Sequence, residues 1–261
     1  MADEATHDEG NNKPMVWVGD DGVAHYRASA LGGCTTAMIL VRSGFTAMAP
    51  PKSMQDRFNE GHLHEPDIVR RANTEFGLEV FAKNPTTKKQ WEIQVPVTPT
   101  VTIEGHTDGY CLGRLAHETY DIDDDYIDGE TRLFEAKTMS EQAFKRWESM
   151  TWEQRWIAYP GYAKQLTAYL AGLSLLLGVD LDGWVYGVKN KESGRILMES
   201  GRGHPYPLAT IKAQVLGIEA HVRQGLLVPD QCQPKAQWRT SSRAIRAKIF
   251  FAAGLVETLA T

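Results

Sequence analysis

A change of hydrophobic period near residue 90 constrains the fold most. Apolar residues in 53–76 recur at helical spacing and predict a long helix, weakened at Gly61 and Pro66. From residue 91 to residue 97 apolar and polar residues alternate strictly, which predicts a half-buried strand. A chain that passes from helical to strand periodicity in this way favours a mixed α/β architecture.

The remaining pattern extends this architecture. Strands are predicted at 99–113, 131–139, 183–190 and 195–200, and further helices are predicted at 29–45, 161–178, 208–227 and 241–260. The order is helices, three strands, a helix, a strand pair and closing helices. We therefore expect an α/β fold with a mixed central sheet flanked by helices and with extra helices at the C-terminus.

The chain of 261 residues is expected to form one domain over 15–261, with a core at about 29–200 and a helical part at 205–261. The acidic, polar segment 1–14 is expected to be a disordered tail. No apolar run reaches 18 residues, and the first residues do not resemble a signal peptide. A cytoplasmic protein without membrane contact is the expectation.

Charge is unevenly distributed along the chain. The net charge is −5, yet residues 235–248 carry five basic and no acidic side chains. This stretch is either a solvated helix face or a surface that contacts phosphates, with Arg239, Arg243 and Arg246 as the candidate contacts. A negative net charge does not exclude a nucleic-acid enzyme, because the local field at the site decides binding.

Candidate metal ligands stand on two predicted neighbouring strands. Asp108 follows the alternation of 101–107, and Glu135 and Lys137 stand two apart in 131–139. Residues two apart on a strand share a face, so Ala136 between them points away and keeps its carbonyl within reach. Two carboxylates and a carbonyl are hard oxygen donors that suit Mg²⁺, with Mn²⁺ as a substitute.

Each of these features has a simpler interpretation. Asp108 lies between Gly105 and Gly109 and is compatible with an ordinary turn residue. Glu135 and Lys137 are compatible with a charged pair on the surface of a strand. The metal hypothesis therefore depends on whether further partners occur elsewhere in the chain.

Five short motifs in order supply that context. They are SALGGC at 29–34, GHLHEP at 61–66, GHTDG at 105–109, FEAKT at 134–138, and YAKQLTAY at 162–169. Together they resemble the PD-(D/E)XK nuclease superfamily, in particular its RecB-like and lambda-type phage exonuclease branch. The resemblance runs from Ser29 to Tyr169, and the strand pair to Ser200 would complete a restriction-endonuclease-like core.

The resemblance implies roles for the matched residues. Asp108, Glu135 and the Ala136 carbonyl would bind the metal, and Lys137 would act on the nucleophilic water. Glu65 would complete the metal site, in competition with His64, since some relatives use histidine at this place.

The resemblance also implies roles for neighbours of that set. Gln165 would steady a metal-site group or a phosphate, and Tyr169 would support it, unless Tyr169 is a core residue. Independently of the resemblance, His106 stands two residues before Asp108 and shares its face if the strand continues, so it is either a metal ligand or a hydrogen-bonding neighbour.

Relatives that hold an iron–sulfur cluster use four cysteines, and only Cys34 and Cys232 stand at comparable places here. No cluster is therefore expected.

The chain is predicted to be a Mg²⁺-dependent deoxyribonuclease. The favoured mode of action is that of an exonuclease in DNA recombination, repair or degradation. Linear DNA or single-stranded ends would be its substrates. Its protein partner would be a single-strand-annealing protein or a helicase. Its source would be a bacterium or a phage. A homo-oligomer is compatible with this prediction. The alternatives are a restriction-like endonuclease, an inactive nuclease-like DNA-binding protein and a small-molecule metalloenzyme on another α/β fold.

Residues 144–160 interleave aromatic and basic side chains. Lys145, Arg146 and Arg155 stand among three tryptophans, which suits stacking on single-stranded DNA beside phosphate contacts. We expect this segment to guide a DNA strand. The alternative is that the tryptophans pack the domain.

Overall fold

The computed structural model describes residues 14–44, 52–113, 115, 130–181 and 183–225. The predicted tail (except Pro14), the C-terminal helix and the basic stretch at 235–248 lie outside this part of the chain. The described strands are β1 Val16–Val18, β2 Ala24–Arg27, β3 Leu78–Phe81, β4 Trp91–Thr98, β5 Val101–Thr107, β6 Tyr110–Gly113, β7 Arg132–Met139, β8 Gly183–Asn190 and β9 Ile196–Arg202. The described helices are α1 Thr35–Arg42, α2 Lys52–Glu75, α3 Glu141–Glu148, α4 Trp152–Ala158, α5 Pro160–Leu177 and α6 Leu208–Gln224, and a short 3-10 helix spans Ala28–Ala30.

The strands form two mixed sheets. One has the order β1-β2-β5-β4 and the other the order β3-β6-β7-β8-β9. Each sheet contains one parallel pair, β2 with β5 and β7 with β8, among antiparallel neighbours. The predicted α/β fold with mixed sheet flanked by helices is confirmed, with the strands divided between two sheets instead of joined in one.

The two faces of the β7–β8 pair contact different parts of the core. Phe134, Ala136 and Val185 pack with residues of α2 such as Ile68. The alternate residues, among them Leu133, Tyr186 and Val188, belong to a larger cluster that includes side chains of α3, α5 and α6. The five-stranded sheet is therefore covered on both faces, as parallel strands require.

Helix α2 is continuous, although a weak point was expected near Gly61 and Pro66. Pro66 lies inside the helix and has no N–H to donate to the preceding turn. Ile68 and Ala72, two and six residues further on, are fully buried against the sheet. Tertiary packing of this apolar face offsets the local cost of the proline.

Helix α1 begins later than the predicted 29–45. Ser29 lies in the 3-10 helix, and the N-cap of α1 is Cys34, whose side chain makes no capping bond. The first turn of α1 therefore follows a Gly32–Gly33 pair that breaks the helical pattern.

A buried carboxylate joins three elements by hydrogen bonds. Glu219 of α6 accepts hydrogen bonds from the Tyr26 hydroxyl at 2.7 Å and from the Arg42 guanidinium at 2.7 and 3.1 Å. These contacts join α6 to β2 and α1. Within the described residues, no helix combines the length and apolarity that a membrane crossing requires.

Candidate active site

The chain passes from one sheet to the other at Asp108. Strand β5 ends at Thr107 in the four-stranded sheet, and β6 begins at Tyr110 in the five-stranded sheet. Gly109 has φ 123°, and a Cβ at this position would lie 2.3 Å from the Phe81 carbonyl oxygen. Only glycine fits this turn. Sequence analysis predicted one uninterrupted strand at 99–113, and the structure divides it here.

The turn brings Asp108 against β7. Its Oδ2 accepts a hydrogen bond from the backbone N–H of Ala136 at 2.8 Å. The antiparallel register pairs Tyr110 with Leu133, and its continuation places Asp108 opposite Glu135. The two acidic residues thus meet across neighbouring strands.

Glu135 and Lys137 share a face of β7, and the ammonium of Lys137 donates to Oε1 of Glu135. The Glu135 side chain is 2% exposed and that of Lys137 is 24% exposed, so part of the lysine side chain borders solvent. The second oxygen of Glu135, Oε2, is buried and has no hydrogen-bond partner in the described part of the chain.

Burial dominates the electrostatics of the carboxylates. It raises the pKa of Asp108 to about 6, with the nearby Glu65 adding to the shift and Lys137 opposing it. Burial likewise raises the pKa of Glu135 to about 8, opposed by Lys137 and reinforced by Asp108. Although burial disfavours charge on Lys137, the Glu135 carboxylate holds the pKa of this ammonium well above its ordinary value. Lys137 is therefore charged at neutral pH.

Glu65 of α2 belongs to the same electrostatic group, because its charge acts on both Asp108 and Glu135. Its Oε1 lies 2.9 Å from Nδ1 of His62, one turn earlier on the helix. The hydrogen bond to Glu65 raises the pKa of His62, and Asp108 also favours the charged imidazole. Sequence analysis missed His62, although its spacing of three residues from Glu65 on a helix was a usable signal.

The donor set fits a hard divalent cation. Asp108, Glu135, Glu65 and the Ala136 carbonyl supply only oxygen, which Mg²⁺ prefers. The unpartnered Oε2 of Glu135 is a buried acceptor that a cation would satisfy. As the described side chains stand, no three His, Cys, Asp or Glu residues are grouped closely enough to hold an ion. In this arrangement Glu65 is bonded to His62 and Asp108 to Ala136.

Gln165 and Tyr169 lie on α5 beside the carboxylates. Nε2 of Gln165 donates to the Tyr169 hydroxyl at 2.8 Å. Burial and then Glu135 raise the pKa of Tyr169, so this hydroxyl stays protonated next to the site. A Cβ at Gly105 would lie 2.8 Å from the Tyr169 ring, so the glycine of β5 makes room for it.

The two other candidate histidines have different surroundings from Glu65. Nδ1 of His64 lies 3.2 Å from the Lys189 ammonium on β8. His106 pairs in register with Glu92 in β4. The prediction that His106 shares a face with Asp108 assumed a continuous strand, and the sheet change after Thr107 removes that condition.

The residues predicted to contact DNA differ from one another in exposure and in the partners of their charged groups. Lys145 is exposed and pairs with Glu141 at 2.8 Å, and the Arg146 guanidinium lies 5.9 Å from the Tyr159 ring centre. Arg155 is only 4% exposed and pairs with Glu199 at 2.5 Å. A DNA contact by Arg155 does not fit this placement, because its charge is already paired within the fold. Arg239, Arg243 and Arg246 lie outside the described residues.

The tryptophans of 144–160 form a packed cluster. Trp147 is fully buried and meets Trp152 and Trp156 edge-on, at ring distances of 6.0 and 6.1 Å. The structure thus supports the packing alternative for Trp147, whereas Trp152 and Trp156 are partly exposed. The segment forms the two helices α3 and α4.

Comparison with known proteins gives weak structural similarities. No protein-family model matches the chain, and no curated protein matches it significantly. The chain is similar to the alkaline exonuclease LHK-Exo from Laribacter hongkongensis, with 14% identity, a TM-score of 0.45, and coverage of 89% of this chain and 95% of that one.

The same enzyme in complex with dAMP gives 16% identity, a TM-score of 0.44 and coverage of 88% and 94%. The protein SSO0001 gives 13% identity, a TM-score of 0.43 and coverage of 94% and 91%. At such low similarity, the site has to be interpreted from the residues of this chain.

Proposed function

We propose that the protein is a Mg²⁺-dependent deoxyribonuclease and that its preferred mode is exonucleolytic. The observation that carries the proposal is the meeting of Asp108 and Glu135 on neighbouring strands, with Lys137 on the same face as Glu135. The motif resemblance to RecB-like and lambda-type exonucleases supports this interpretation, because the residues it matches come from four separate segments that the fold brings together.

The metal would be held by Asp108, Glu135, the Ala136 carbonyl and Glu65, with Mn²⁺ as a substitute for Mg²⁺. When bound, such an ion activates water and neutralises charge on a phosphoryl group. The carboxylates must be deprotonated to bind it, and their raised pKa values make this dependent on pH.

Lys137 would act as a donor and not as a base. Because the pKa of Lys137 is raised, its ammonium keeps its proton at neutral pH. It can therefore orient the attacking water or a phosphoryl oxygen by hydrogen bonding, in a partly exposed position that a substrate can reach. Gln165, fixed by Tyr169, would hold a neighbouring phosphate or water.

DNA is the proposed partner, and contacts to its backbone would come from Lys145, Arg146, and the basic stretch with Arg239, Arg243 and Arg246. Phosphate contacts position a strand without reading its sequence, so we expect little dependence on base identity. A single-strand-annealing protein or a helicase as partner and a cytoplasmic location belong to the same proposal.

The test compares linear and closed-circular DNA of one sequence, with Mg²⁺ or EDTA. Degradation of linear DNA alone, dependent on Mg²⁺ and absent in Asp108→Ala and Lys137→Ala, supports the exonuclease. Asp180→Asn, which changes an exposed carboxylate beyond the end of α5, is the matched control and should retain activity.

Two other outcomes would replace the proposal. Cut or nicked circles would identify an endonuclease. DNA binding without cleavage in Mg²⁺ or Mn²⁺ would identify a nuclease-like binding protein.

A further inference from the structure

Tyr186 stands beside the candidate metal ligands without being among them. In the parallel β7–β8 pair it lies in register with Glu135. The residue is 1% exposed, and its hydroxyl has no hydrogen-bond partner in the part of the chain that the structure describes. Buried hydroxyl groups are normally hydrogen-bonded, so an unpartnered one calls for an explanation.

Packing holds the Tyr186 ring in place. The Tyr186 ring is stacked on Trp147, with ring centres 5.5 Å apart and planes 19° apart. Trp156 meets the same ring edge-on at 6.4 Å. A ring held on two sides cannot swing away, so its hydroxyl is presented in a preset position.

Tyr186 lies near the charged groups of the site. Its register partner on β7 is Glu135, Lys137 is two residues further along the same strand, and the electrostatic neighbours of the hydroxyl include Lys137, Glu135 and Asp108. Burial, with Glu135 and Asp108 adding to it, raises the pKa of Tyr186, so the hydroxyl remains a hydrogen-bond donor at all working pH values. A phenylalanine would fill the same space without a buried unpaired group.

We propose that Tyr186 is a further catalytic residue, whose hydroxyl donates a hydrogen bond to a non-bridging oxygen of the scissile phosphate. The inference rests on the proposed nuclease function and deepens it. Two buried polar atoms of the site lack partners, and they have complementary chemistry: Oε2 of Glu135 accepts and the Tyr186 hydroxyl donates. The first fits a cation and the second fits an anionic oxygen, which a metal-bound phosphodiester offers together.

The test is Tyr186→Phe, compared with Tyr26→Phe as a control. The Tyr26 hydroxyl bonds to Glu219 of α6, which is not among the candidate site residues, so its removal should lower the melting temperature and leave kcat unchanged. Tyr186→Phe should lower kcat without lowering the melting temperature. We expect kcat on linear DNA with Mg²⁺ to fall on the order of 10²-fold, with the melting temperature unchanged or raised.

A second measurement locates the contact. A phosphorothioate at a single linkage replaces one non-bridging oxygen by sulfur, a poor acceptor. If the hydroxyl contacts that oxygen, Tyr186→Phe should lose much less activity on one phosphorothioate diastereomer than on the phosphate.

The outcomes separate the two proposals. An inactive wild type would overturn the nuclease function itself. An active wild type with Tyr186→Phe at full kcat would overturn only the role of Tyr186. An equal loss on the phosphate and on both diastereomers would also overturn the proposed contact, because the hydroxyl would then act through another group.

Discussion

The Asp108 carboxylate accepts a hydrogen bond from the backbone N–H of Ala136 at 2.8 Å, across the junction between the two sheets. This contact places one acidic side chain at the end of β5 against the middle of β7. The arrangement concentrates three carboxylates, Asp108, Glu135 and Glu65, around one ammonium, Lys137. In the absence of a cation, the burial of these carboxylates next to one another lowers the free energy of unfolding.

Asp108→Asn should stabilise the protein while abolishing Mg²⁺-dependent activity. The amide oxygen can still accept from Ala136, and the substitution removes a buried charge whose pKa is raised to about 6. We expect a gain on the order of 1 kcal/mol in the free energy of unfolding, measured by urea denaturation in EDTA. A variant that loses stability in EDTA would show that the charge of Asp108 is already compensated in the protein.

Raising the pH should destabilise the protein in EDTA. The pKa values of Asp108 and Glu135 are raised from 3.8 and 4.5 to about 6 and about 8. Between about pH 4 and pH 8 the folded state holds protons that the unfolded chain has released, so the free energy of unfolding falls as pH rises. Melting curves across this range should show the fall, and in Glu135→Gln it should be smaller.

Mg²⁺ should bind more tightly as pH rises, whereas the free energy of unfolding in EDTA should fall. The ligands must lose protons to bind, so the Mg²⁺ concentration for half-maximal activity should decrease from pH 6 to pH 8. Isothermal titration in buffers of different ionisation enthalpy would measure the proton release. A binding constant independent of pH over this range would argue against Asp108 and Glu135 as ligands.

Gly109→Ala should damage the fold and the site together. Its φ of 123° is unfavourable for alanine, and the new Cβ would collide with the Phe81 carbonyl. We expect a loss of about 2–4 kcal/mol in unfolding free energy, with activity lost as Asp108 shifts. Gly178→Ala is the matched control: φ is 68° and nothing lies within 4 Å of the added Cβ. There the cost should be about 1–2 kcal/mol, with activity retained.

Arg155→Gln should act on stability and not on DNA affinity. The substitution leaves Glu199 without its partner and removes a hydrogen bond of 2.8 Å to the Trp147 carbonyl. A loss of about 3 kcal/mol is expected. Lys145→Gln, at an exposed position, should change stability by less than about 0.5 kcal/mol and weaken DNA binding at low salt. Fluorescence anisotropy with labelled DNA would measure the DNA affinity of the Arg155→Gln and Lys145→Gln variants.

Local patterns were sufficient for much of the fold. Strict alternation predicted β4, the strands predicted at 131–139 and 183–190 match β7 and β8 to within a residue, and the apolar stripe predicted α5 with Gln165 and Tyr169 on it. The face shared by Glu135 and Lys137 follows from strand geometry alone. These features are determined by residues close in sequence, and hydrophobic periodicity is sufficient to predict them.

Features set by distant contacts were missed. Strand β2 pairs with β5, about 77 residues further along the chain, and a four-residue strand carries little signal by itself. The division at Asp108 depends on which sheet each half joins, and the placement of the Tyr186 ring depends on Trp147 and Trp156. No local pattern contains this information.

The position of Asp108 between two sheets also affects refolding. Each sheet contains a parallel pair closed over a long stretch of chain, and such pairings form slowly. Asp108 meets Glu135 through the β6–β7 pairing, and the candidate site is complete only once α2 and α5 have packed beside β7. After dilution from denaturant, nuclease activity should therefore recover no earlier than the slowest kinetic phase seen by tryptophan fluorescence, and enzyme assays would report complete assembly more strictly than spectroscopy.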